Sequence, residues 1–136
     1  MATQKQVIEN SNIPATLTRA VIKQLGGWSS FKQSATDIAS HGIDGGFCGF
    51  VYYTDTIAFF RCNRRDIVEL AKQQADDMGV GVLEMIAGFN CLQGDYSIDE
   101  IGETLFGGPV NDQIANALAW YAGEEVARIY SDMQDS

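Results

Sequence analysis

The sequence predicts an α+β fold in which about six helices pack around a β-hairpin or small antiparallel sheet. Three observations predict it. Apolar residues recur at helical spacing over most of the chain. Between residues 47 and 60 that spacing gives way to alternation. Turn residues, chiefly paired glycines and the two prolines, punctuate the segments. A length of 136 residues and a hydrophobic content of 46% suit one domain over 1–136, with core enough to fold without disulfides.

The elements follow in order. Ser11, Asn12, Ile13 and Pro14 predict a helix start, because Ser or Asn can cap and proline is tolerated in a first turn. That helix carries Leu17, Ala20, Val21 and Gln24, and Gly26-Gly27 ends it. A second helix is expected over 29–40, burying Phe31, Ala35, Ile38 and Ala39, with Trp28 at the corner. A turn over 41–46 leads to alternation: Phe47, Gly49, Val51 and Tyr53 on one face, Cys48, Phe50 and Tyr52 on the other. Thr54-Asp55-Thr56 then turns the chain and Ile57-Ala58-Phe59-Phe60 returns as a second strand. Asn63 caps a third helix with Asp66 in its first turn, a core stripe from Ile67 to Met78, and Gly79 as its stop. The stretch 80–92 fits a buried helix by length, although Gly81 and Gly88 weaken it. Ser97 and Glu100 form a capping box for a short helix carrying Ile101, Leu105 and Phe106, broken by Gly107-Gly108-Pro109. Asn111 caps a final helix to about Met133, on which Glu124 and Arg128 are spaced for an i,i+4 ion pair.

Charge is distributed unevenly. Seven Lys/Arg face four Asp/Glu up to Arg65, whereas two face fourteen from Asp66 onward, for a net charge of −9. Such a surface repels nucleic acid directly and attracts basic partners. Arg61, Arg64 and Arg65, the one basic cluster, are too few for a nucleic-acid footprint and suit pairing with acidic helices. No apolar run approaches the roughly 20 residues of a membrane span, and the first residues lack the apolar core of a signal peptide. The expected compartment is therefore the cytoplasm. Cys48, Cys62 and Cys91 form no C-x-x-C pair and sit among apolar residues, which fits buried, reduced thiols.

Chemistry-bearing motifs are sparse. His41, the single histidine, precedes a turn containing Asp44, with Cys48 beyond it; a Cys–His pair would make a nucleophile and its base. A histidine at a helix end equally serves as a cap against the dipole, and no oxyanion hole is evident. The run Asp44-Gly45-Gly46-Phe47-Cys48-Gly49 lacks the lysine and following helix of a phosphate loop. Paired carboxylates occur at Asp76-Asp77, at Asp99-Glu100 with Glu103, and at Glu124-Glu125, without the loop spacing of a hard-metal site. No cofactor is expected. Acids on helices usually form a solvated face, but here they are numerous enough to suggest a surface for a basic groove.

Two resemblances accompany these residues. The run from Asn12 to Val21, the Gly45-Gly46-Phe47 strand ending in Tyr52-Tyr53-Thr54-Asp55-Thr56, and the segment from Asn116 to Glu125 together resemble a domain-of-unknown-function family. The resemblance implies an origin in tailed phages, prophages or mobile elements and brings no activity. The glycine pair leading into an aromatic strand over 44–52, followed by a second aromatic strand and a helix, is similar in layout to the ArdB/KlcA antirestriction family.

The expected function is protein–protein binding, with inhibition of a host restriction or CRISPR effector as its form. Asp76, Asp77, Asp99, Glu100, Glu103, Asp132 and Asp135 are the contact candidates, filling a basic surface that otherwise holds nucleic acid. Two alternatives stand beside it. One is an enzyme built on His41, Asp44 and Cys48. The other is an oligomerising accessory protein with an apolar patch from Phe47, Tyr53 and Phe59. A homodimer suits any of these, since a two-stranded sheet can extend itself across a two-fold axis.

Overall fold

The computed structural model describes residues 3–41, 53–89, 92 and 94–134. Seven helices and no strand occur among them, so the α+β expectation is corrected to an all-helical fold. The helices are α1 (Gln4–Asn10), α2 (Ala15–Gln24), α3 (Trp28–His41), α4 (Tyr53–Met78), α5 (Val82–Ala87), α6 (Ile98–Phe106) and α7 (Asp112–Gln134).

The expected return strand is where the two readings part. Thr54-Asp55-Thr56 lies in the first turn of α4, and Ile57-Ala58-Phe59-Phe60 continues that helix. Thr56, Phe59, Phe60, Ile67, Leu70, Ala71 and Ala75 are all buried, and Asn63 stands among them, in steps of three or four that form one helical stripe. Strand propensity of aromatic residues is a weak preference, and packing along a 26-residue helix overrides it. The first expected strand lies outside the described residues except for Tyr53, which is helical. With 57–60 helical, both the layout shared with the ArdB/KlcA family and the sheet-extension route to a dimer lose their second strand. Phe59, expected on an apolar patch, is 5% exposed.

A break does occur where the third helix was expected to start. Asn63 has φ −120° and ψ 15°, a kink inside α4. Its side-chain amide donates to the Phe59 carbonyl oxygen at 2.9 Å, a side-chain bond into the helix ladder where the backbone bends. Asn63 is thus a kink residue instead of an N-cap.

The long helix α7 is the axis of the fold, packing against α3 and α4 and touching α1, α2 and α6. Its buried residues run around the whole circumference, from Ile114 through Ala117, Ala119, Ala122 and Gly123 to Ala127 and Tyr130. Small side chains let neighbouring helices approach on every side, which is the pattern of a central helix. Trp28, Phe31 and Tyr130 join α3 to α7 through ring contacts of 5.5–5.6 Å.

Turn chemistry places the remaining elements. Gly26 and Gly27 have φ of +97° and +99°, which L side chains rarely adopt, and their amides close α2 on the Lys23 and Ile22 carbonyls. Pro14 sits at the N-cap of α2 instead of in its first turn, and no side chain caps that end. The first helix was not expected from the sequence; Thr3 and Gln6 form its capping box. Asn111 caps α7 as expected, its Oδ1 accepting from the Gln113 and Ile114 amides. Two expected core residues, Met78 and Phe106, are instead 64% and 51% exposed. No helix among the described residues is long and apolar enough to cross a membrane.

Candidate functional site

Two regions of α4 position the charged groups. Toward α6, Arg64 donates from Nη2 to the Glu103 carbonyl oxygen at 2.7 Å and the Gly108 carbonyl oxygen at 3.2 Å. The guanidinium thus caps the C-terminal end of α6, where the helix dipole is negative. Burial, and then Arg61 nearby, lower the Arg64 pKa from its ordinary value. Two turns on, the Lys72 ammonium sits 5.7 Å from the Phe106 ring centroid. These cations therefore serve α6, and Arg64 binds carbonyls where an acidic side chain was expected.

On the other side of α4, the end of that helix and the end of α7 enclose a groove of about 270 Å³ with residues 11–13. Glu125, 9% exposed, forms its inner wall. Glu125 Oε2 accepts from Gln74 Nε2 at 2.7 Å, and Oε1 accepts from Arg128. Gln74 Oε1 in turn accepts from the Tyr121 hydroxyl. Burial and then the Glu125 charge push the Tyr121 pKa well above its ordinary value, opposed by Arg128. The expected i,i+4 partner of Arg128 was Glu124; the structure pairs Arg128 with Glu125 at i,i+3.

Of the acids singled out from sequence, Asp76, Asp77, Asp99, Glu100, Glu103 and Asp132 are exposed, and Asp135 lies outside the described residues. None of those six pairs with Lys or Arg among the described residues. Glu100 instead accepts from the Ser97 hydroxyl at 3.3 Å, while Ser97 Oγ accepts from the Glu100 amide at 3.2 Å. The six fall into two groups. Asp77 and Asp132 line the groove. Asp99, Glu100 and Glu103 belong to α6. With 3.6 residues per turn, Asp66 and Asp77 lie roughly 200–220° around α4 from Arg64, whereas Lys72 lies roughly 80° from it. The α6 acids and the groove acids therefore flank opposite sides of α4, and Asp76 points between them.

The helix ends make the groove more negative. Asp76 and Asp77 occupy the last turn of α4 and Asp132 the last turn of α7, and neither turn contains a basic residue. Carboxylates there oppose the helix dipole, so these positions cost stability instead of adding to it. By contrast Asp99 and Glu100 occupy the first turn of α6, where the dipole favours them.

The side chains of the enzyme alternative fall outside the described residues. Asp44 and Cys48 lie outside them, as does the His41 side chain. No cluster of three metal-ligating side chains occurs among the described residues. Cys62 is exposed on α4, which corrects the expectation of a buried thiol; Cys48 and Cys91 lie outside the described residues.

The described residues thus form a helical fold with a central helix, exposed carboxylates on two sides of α4, and a groove at the shared end of α4 and α7. The chain belongs to DUF7222, a domain-of-unknown-function family whose model matches residues 8–135. That match bears out the resemblance to a domain-of-unknown-function family. No curated protein and no solved structure matches the chain.

Proposed function

We propose that this chain is a binding protein of a phage or other mobile element, whose acidic helices occupy a basic surface that a host defence complex uses to hold nucleic acid. One observation carries the reading: six exposed carboxylates stand without a basic partner among the described residues, three of them where the helix dipole disfavours them. Retaining charge at a cost to stability favours a role in recognition over simple solvation. Competition is then electrostatic, since carboxylates stand where phosphates would.

Affinity capture from host lysate at 50 mM and 500 mM salt tests it, with duplex DNA as competitor. The expected catch is a nucleic-acid-binding complex that is released by salt and displaced by DNA. Reversing Asp76, Asp77, Asp99, Glu100 and Glu103 to lysine together should abolish capture. Capture that survives both salt and charge reversal would refute the reading.

A further inference from the structure

The groove between α4 and α7 differs from a plain acidic patch in three respects. It is concave and contains a fixed carboxylate, because Gln74 and Arg128 each hold one oxygen of Glu125. Its negative charge exceeds its positive charge: Asp77, Glu125 and Asp132 line it with Arg128, and the C-terminal ends of two helices add to the negative potential. The Ser11 hydroxyl oxygen, in the same lining, is buried and has no hydrogen-bond partner among the described residues. A buried hydroxyl left unpaired is costly, and a donor that displaces the groove lining over it satisfies it.

We propose that this groove seats an arginine side chain of the partner protein. An arginine carries five N–H donors in a planar fork, which suits acceptors fanned around one concavity: the rim carboxylates of Asp77 and Asp132 and the remaining lone pairs of Glu125, with the Ser11 hydroxyl beneath the lining. The apolar stem of the arginine lies against Leu70 and Ile129, which also line the groove. This inference rests on the binding reading above and names the group on the partner that the groove recognises.

The test is an amide-resolved NMR titration of the intact chain with the tripeptide Ac-Gly-Arg-Gly-NH2, and with the citrulline analogue, which keeps the shape and loses the charge. Saturable shifts are expected at Gln73, Gln74, Asp77 and Arg128–Asp132, with a Kd of about a millimolar. The citrulline peptide should leave these amides in place. The double variant Asp77→Asn/Asp132→Asn removes two exposed charges and should weaken the arginine peptide about tenfold. Shifts that spread over α6 as much as over the groove, or a double variant that binds unchanged, would overturn the assignment. The capture experiment separates the two levels. If reversing the α6 acids abolishes capture and Asp77→Asn/Asp132→Asn does not, the binding reading stands and the arginine seat falls.

Discussion

Replacing Gln74 by leucine probes the network that holds the groove's inner wall. The substitution deletes the bond from Gln74 Nε2 to Glu125 Oε2 and the bond from Tyr121 to Gln74 Oε1. A hydrogen bond to a charged group contributes about 1.5–3 kcal/mol and a neutral one about 1 kcal/mol, so the gross loss is about 3 kcal/mol. Partial burial of leucine offsets about 1 kcal/mol. The net cost is then about 2 kcal/mol, which for a chain of this size lowers Tm by about 8 °C. Urea unfolding followed by fluorescence of the two tryptophans measures it. Tyr121→Phe alone should cost about 1 kcal/mol, and the Gln74→Leu/Tyr121→Phe pair should cost little more than Gln74→Leu. A cost below about 0.5 kcal/mol for Gln74→Leu, or strict additivity in the cycle, would refute a network that fixes Glu125.

Three further outcomes follow from the same geometry. Because the folded-state Tyr121 pKa is raised, its contribution is constant below about pH 10 and declines as pH climbs past that value, where only the unfolded chain ionises. Stability measured from pH 8 to 11 should fall along this limb, less steeply in Tyr121→Phe, and one of the five tyrosines should titrate last by phenolate absorbance. Gly108→Ala should destabilise by about 1–3 kcal/mol, because a Cβ there meets Glu103 Cβ at 2.9 Å and the Glu103 backbone at 3.0–3.1 Å; urea unfolding checks it. Cys62, exposed on α4, should react with a thiol reagent in the native state, and Cys62→Ser should remove one equivalent of that fast reaction.

Most helices were readable because local chemistry and tertiary position agree. The Gly26-Gly27 stop, the Ser97 and Asn111 caps and the Gly107-Gly108-Pro109 break all occur where turn residues place them. The hairpin fails because Thr56 reads as a turn residue in the sequence. Counted instead as a small buried side chain at 0% exposure, it completes the helical stripe with Phe59 and Phe60. A similar bias hid the role of α7. Its alanines and Gly123 carry little hydrophobicity of their own, so the pattern showed an ordinary amphipathic helix where the structure has a central one. The first helix was missed because Val7 and Ile8 alone supply its apolar residues, although the spacing of Thr3 and Gln6 marked its start. The groove was half visible: Asp77 and Asp132 stood out as acids, but nothing in the sequence joins Gln74 to Glu125 across 51 positions.

The division of the acids by α4 determines how a charged partner responds to salt. A helix with its side chains is about 10–12 Å across, and the screening length is about 8 Å at 0.15 M salt and about 30 Å at 0.01 M. At low salt both groups therefore steer an approaching basic surface, whichever side it docks on. At physiological salt only the group in contact still acts. Reversing Asp99, Glu100 and Glu103 should slow association at 0.01 M salt, and that effect should vanish by 0.15 M if the partner docks at the groove. Asp77→Asn/Asp132→Asn should instead raise the dissociation rate at both salts. Surface-bound partner and flowing chain, measured at the two ionic strengths, distinguish steering from contact. Parallel salt dependence for the two sets of variants would mean that the carboxylates act as one undivided field, and the geometric separation across α4 would then carry no functional weight.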